Sequence, residues 1–100
     1  GRIITILPDT MYTIFVEKRN SFPHAEFEVR IENGAKTIHS VFLEEKYYQS
    51  LTDGIITPEE CIKKSFEFLL EREPNTSIVP SFSLDVISKY FPEYEQEIKT

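Results

Sequence analysis

One stretch constrains the fold more than any other: Thr57-Pro-Glu-Glu-Cys-Ile-Lys-Lys-Ser-Phe-Glu-Phe-Leu-Leu-Glu-Arg-Glu73, the only long and well-signalled helix in the chain. Thr57 is suited to the N-cap, where its hydroxyl accepts from an orphan amide of the first turn. Pro58 suits the first helical position, where no amide partner is lost. Glu60 falls three residues after Thr57 and completes a capping box, and Glu59 and Glu60 both sit at the positive end of the helix dipole. At about 100° per residue, Ile62, Phe66, Leu69 and Leu70 form one stripe, widened by Cys61, Ser65 and Phe68, with Lys63, Lys64, Glu67 and Glu71 opposite. A helix lying on a single sheet needs a stripe only about 100° wide. The wider arc predicts cover on two sides, by a sheet and by the C-terminal segment.

The sheet is sought upstream. Arg2 to Leu7 is rich in β-branched residues and stops at Pro8-Asp9, which predicts a first strand. Met11 to Glu17 is a second candidate, fairly apolar on both faces as expected of a central strand or of one with a covered second face, and Lys18 to Pro23 reads as a loop. The clearest strand signal is Ala25 to Glu32, where Ala25, Phe27, Val29 and Ile31 alternate with Glu26, Glu28, Arg30 and Glu32. Asn33-Gly34 then predicts a two-residue hairpin turn and a return strand over Ala35 to Leu43. In that register Val29 faces Ile38, Phe27 faces Ser40, Ala25 faces Phe42, and His39 lies opposite Glu28 on the outer face. A longer loop would change the register.

Glu44 to Leu51 predicts a short helix stopped by Asp53-Gly54, and Ile56 is placed to staple onto Cys61 or its neighbour. Beyond the main helix, Pro74 to Ser77 breaks the chain and Ile78-Val79-Pro80 crosses back in extended form. Ser83 caps a last helix, Leu84 to Phe91, which Pro92 ends or kinks, and Tyr94 to Thr100 adds one more turn. The expected architecture is α+β in a single domain over residues 1–100. An antiparallel sheet of three or four strands spans residues 2–43, the main helix packs across it, and residues 78–98, including a short C-terminal helix, cover that helix.

Composition narrows the function. The net charge is −6, and residues 51–100 carry ten acids against five bases. That field repels phosphate backbones, so nucleic acid is not an expected partner. No apolar run approaches the roughly 18 residues that span a bilayer, and no secretory signal opens the chain, so no membrane association is expected. A single cysteine gives neither an internal disulfide nor a CxxC motif, consistent with a cytoplasmic location. With only three glycines the chain has no GxGxxG, GxxxxGK[ST] or GxSxG, so phosphate-cradling loops and a nucleophile elbow are absent and no cofactor is implied.

Few residues remain for chemistry. Cys61 sits in the first turns of the main helix, a setting that can activate a thiol, against the plainer reading of a small core residue. His24 and His39 lack any two-ligand spacing, and a surface ion pair is the ordinary role of each. Glu26, Glu28 and Glu32, the pairs Glu44-Glu45 and Glu59-Glu60, and Glu93, Glu95 and Glu97 could hold a cation or act as acid and base, but read first as solvated faces.

Two aromatic groups stand out, Tyr47-Tyr48 and Tyr90-Phe91-Pro92-Glu93-Tyr94. Adjacent aromatics cannot all face one core, so at least one of each group is expected at the surface. This makes Tyr47, Tyr48, Tyr90 and Tyr94 candidate partner-binding residues. The alternative is a second layer closing over the main helix.

The segment from Ile56 through Ser65-Phe-Glu-Phe-Leu-Leu-Glu-Arg-Glu-Pro74 to Tyr90-Phe-Pro-Glu-Tyr94 resembles a group of small uncharacterised bacterial proteins of about this length. The resemblance covers the C-terminal part of the chain, implies a bacterial cytosolic origin, and carries no activity or site residue. A weaker likeness, of element order only, is to small antitoxin-type modules. The expected function is a non-enzymatic module that binds another protein or itself. The competing expectation is a small-molecule or metal-binding protein, or a minor enzyme, with a pocket between sheet and main helix that uses Cys61, His39 or clustered glutamates.

Overall fold

The computed structural model describes residues 12–99, so the strand expected at Arg2–Leu7 lies outside the described residues. Its elements are β1 (Thr13–Asn20), β2 (His24–Glu32), β3 (Lys36–Glu44), α1 (Glu45–Thr52), α2 (Pro58–Leu70), β4 (Ser81–Ser83), α3 (Ile87–Tyr90) and α4 (Tyr94–Lys99), with single 3₁₀ turns at Asn75–Ser77 and Leu84–Val86. The fold is α+β, with the three long strands first and the helices after them, as the pattern predicts, and the short β4 lying between α2 and α3.

The capping box of α2 forms as expected. Thr57 Oγ1 accepts from the Glu60 amide at 3.1 Å, and the Glu60 carboxylate accepts from the Thr57 amide at 2.9 Å. An N-cap of this kind is worth about 1 kcal/mol. The whole wide arc of α2 is buried, from Cys61, Ile62 and Ser65 to Phe66, Phe68, Leu69 and Leu70. Phe66 meets His39 of β3 at 5.6 Å between ring centroids, and Phe68 meets Phe91 and Tyr94 at 5.8 and 5.2 Å. The helix is therefore covered by the sheet on one side and by the C-terminal segment on another.

The sheet order is β1-β2-β3-β4, with the first three strands antiparallel and β4 parallel to β3. Two features depart from expectation. A short fourth strand among the described residues comes from the returning segment, at Ser81–Ser83, where only an extended crossing was expected. β1 also runs on to Asn20 through an irregularity between Lys18 and Asn20, so the loop expected from Lys18 shrinks to Ser21–Pro23.

The larger correction is the register of β3. Glu32 pairs with Lys36, so Ala35 joins Asn33 and Gly34 in a three-residue loop, with Gly34 at φ 93° where a side chain would be strained. Val29 then faces His39, and Arg30 faces Ile38. A slip of one residue turns every β3 side chain to the other face. His39 moves from the surface into the core, at 2% exposure, while Ile38 and Phe42 move out. β2 keeps its expected alternation, with Ala25, Phe27, Val29 and Ile31 buried.

α1 forms where expected and stops at Asp53 (φ 55°) and Gly54 (φ 72°), both in the left-handed region. The helix expected over Leu84–Phe91 is a 3₁₀ turn followed by α3, and Ser83 makes no side-chain cap bond. Pro92 ends that helix, because a residue before proline is pushed out of helical geometry, and Phe91 is extended at φ −131°, ψ 90°.

Candidate functional site

The sequence-predicted tyrosines separate. Tyr94 is 0% exposed and Tyr48 6%, which corrects their placement on a partner surface. The reason for Tyr48 is that its ring packs on Phe22 at 5.1 Å between centroids and its hydroxyl donates to the Ile56 carbonyl, fastening α1 to the entry of α2. Tyr94 opens α4 and turns inward. The Ser65 hydroxyl donates to the Cys61 carbonyl at 2.8 Å, so its single hydrogen is used, and the Tyr94 hydroxyl must donate to Ser65 Oγ at 2.6 Å. Burial holds the Tyr94 phenol well above its ordinary range. Tyr47 is half-buried, donates to Glu95 at 2.9 Å, and is raised by burial and by that carboxylate. Tyr90 alone of the four is at the surface, at 75% exposure.

Tyr90 borders an open groove of about 490 Å³. The last turn of α2 forms one wall with Leu69, and Glu73 follows it. The returning segment supplies Ile78, Val79 and Phe82, and the α3 region supplies Val86, Ile87 and Phe91. Leu69, Ile78 and Ile87 are buried parts of the core that reach the groove, whereas Val79 is 55% exposed at its edge.

The position of the returning segment is set by a polar clamp on β3. Buried Asn75 donates through Nδ2 to the Ala35 carbonyl at 3.2 Å and to Thr37 Oγ1 at 2.9 Å. His39 Nδ1 donates to the Val79 carbonyl at 2.9 Å, and its Nε2 lies 3.0 Å from Thr37 Oγ1. The Ser40 amide donates to the Pro80 carbonyl at 2.8 Å, which leads into β4. With the Val79 backbone tied inward, its side chain is left as an edge of the groove. His39 thus has a structural role, and it does not stand beside Glu28; the surface histidine–carboxylate pair is His24 with Glu44, at 2.6 Å.

The residues singled out for chemistry do not converge. Cys61 is 0% exposed, and burial pushes its thiol up from 9.0 to about 11, the opposite of activation. Cys61, Ile62, Phe66 and His39, at the interface of sheet and α2, are all packed to 2% exposure or less. Glutamates of each acidic cluster are engaged in the framework. Glu28 pairs with Arg19 and Arg30, Glu60 closes the capping box, Glu93 and Glu97 hold Arg72, and Glu95 accepts from Tyr47. Among the described residues no group of three histidine, cysteine or acidic side chains is placed to hold a metal ion, and no helix is long and apolar enough to cross a membrane.

A second apolar feature lies on the outer face of the sheet, where Phe15, Ile38 and Phe42 are 47%, 54% and 41% exposed. It is flat and broken by charge. Arg30 lies between Phe15 and Ile38 in the cross-strand row, 5.9 Å from the Phe15 ring centre, and pairs with Glu28 at 3.6 Å.

Sequence reading missed Val79, Phe82, Val86 and Glu73 as groove residues. One signal was present: in an extended Ile78-Val79-Pro80 the two adjacent β-branched side chains must point to opposite sides, so one of them is left out of the core. Comparison with family models, with curated proteins and with solved structures finds no match to this chain.

Proposed function

We propose that this chain is a non-enzymatic interaction module acting in the cytoplasm, and that its partner seats in the groove between the end of α2, the returning segment and α3. The observation that carries this reading is Tyr90. It is a large aromatic at 75% exposure on the border of an apolar groove of about 490 Å³, with Val79 exposed at another edge. Tyrosine joined to an apolar depression is the composition from which binding hot spots are built. The buried Cys61, its thiol pushed up to about 11, fits the same reading, since it supplies no activated nucleophile.

The test is affinity capture from extracts of the source organism, with the intact chain as bait and a Tyr90→Ala, Val79→Ser double variant as control. Both side chains are largely in solvent, so the variant keeps its circular dichroism and melting temperature. A protein retained stoichiometrically by the parent, lost with the variant, and rebinding the parent when purified supports the module. Equal retention by both baits removes the groove from the interaction. A groove-dependent small molecule in native mass spectra, with no protein retained, replaces the module with a binding protein for apolar ligands.

A further inference from the structure

We infer that the occupant of the groove is an apolar segment of another protein that carries a lysine or arginine, and that this cation pairs with Glu73. The inference rests on the groove being the binding site and names the chemistry of what binds there. Glu73 is half-buried and is the one charged side chain among the residues lining the groove. Its amide is used, donating to the Leu69 carbonyl at 2.9 Å, but its carboxylate has no partner among the described residues. The neighbouring Arg72 does not supply one. Its guanidinium lies 3.6 Å from the centre of the Phe68 ring and is held by Glu93 at 3.2 Å and Glu97 at 3.3 Å.

An apolar occupant would strip water from Glu73 along with the walls around it. Removing water from an unpaired carboxylate is costly, so a purely apolar segment binds poorly and one that brings a cation is selected. The wider field points the same way. Ten acids against five bases in residues 51–100 draw a basic segment toward this half. The same charge disfavours a second copy of the chain as occupant, because two molecules of net charge −6 repel as they approach.

The test is selection of random twelve-residue displayed peptides on the intact, immobilised chain, followed by fluorescence anisotropy with the peptides obtained. Peptides that depend on Tyr90 are expected to combine apolar residues with at least one lysine or arginine. They should bind Glu73→Gln about five- to tenfold more weakly than the parent. Replacing the peptide's basic residue with glutamine should produce a similar loss, and Glu73→Gln should then cause little more, which identifies the two groups as a pair. The Glu73→Gln chain folds as the parent does, since no side-chain bond among the described residues is removed.

Peptides that need Tyr90 but ignore Glu73 and show no basic preference overturn the inference and leave the groove as the site. Peptides indifferent to both Tyr90 and Glu73, or no peptides at all, overturn the groove reading itself. A concentration-dependent dimer in sedimentation equilibrium that Tyr90→Ala abolishes makes the occupant a second copy, and also overturns the inference.

Discussion

Tyr94 and Tyr90 lie four residues apart in the same covering segment, yet one is 0% exposed and the other 75%. Arg72 and Glu73 are adjacent at the end of the main helix, yet the first is held by Glu93 and Glu97 across the Phe68 ring while the second has no side-chain partner among the described residues. The C-terminal segment thus treats the two flanks of α2 differently. On one flank Tyr94, Phe68 and Ser65 are packed and bonded, and Arg72 closes over them. On the other, Leu69, Ile78 and Ile87 reach a groove that Tyr90 and Val79 border without closing. Where a segment of this size serves only to finish a core, both flanks should be closed. The open one is the reason to look for function there.

The largest effect expected from breaking the closed flank is with Phe68→Ala. It removes a ring in contact with Phe91, Tyr94 and Arg72, and should cost about 3 to 5 kcal/mol in urea unfolding. Next is the pH dependence. The Cys61 thiol is raised from 9.0 to about 11 by burial, so below pH 9.0 it is protonated in both states and its contribution is complete. Between pH 9.0 and about 11 the unfolded chain gives up a proton that the folded chain keeps, and stability falls as pH rises. The loss is on the order of 3 kcal/mol. Cys61→Ala should show a shallower fall over that interval in urea titrations at stepped pH. Ser65→Ala leaves the buried Tyr94 hydroxyl without an acceptor and should cost about 1 to 2 kcal/mol, part of which returns when Tyr94→Phe is added. The smallest effect belongs to the open flank. Tyr90→Ala should change unfolding free energy by no more than about 0.5 kcal/mol, because the ring is already in water.

Much of the framework was legible from residues. The Thr57–Glu60 box fixed the start of α2, the width of its apolar arc called for cover on two sides, and the alternation over Ala25–Ile31 gave the inner face of β2. The register of β3 was not legible, for a definable reason. Its two faces, Thr37, His39, Val41 and Leu43 against Ile38, Ser40 and Phe42, are similarly apolar, so only the loop could decide between them. Asn33-Gly34 suggested two residues, but Ala35 makes a third, and His39 changed face with it.

The division between Tyr90 and Tyr94 was hidden by a comparable accident. On a continuous helix residues four apart share a face, but Pro92 separates α3 from α4, and each tyrosine takes its direction from a different element. The groove itself depends on long-range bonds, from Asn75 to Ala35 and from His39 to Val79, which no local pattern announces.

The most direct measurement of this asymmetry is nitration of the native chain with tetranitromethane, read tyrosine by tyrosine by mass spectrometry. Tyr90 should react first, the half-buried Tyr12 and Tyr47 more slowly, and Tyr48 and Tyr94 only as the protein unfolds. Tyr94 reacting as fast as Tyr90 under native conditions would mean that the covering segment does not seal α2 on either flank, and the contrast between a closed side and an open one would fall.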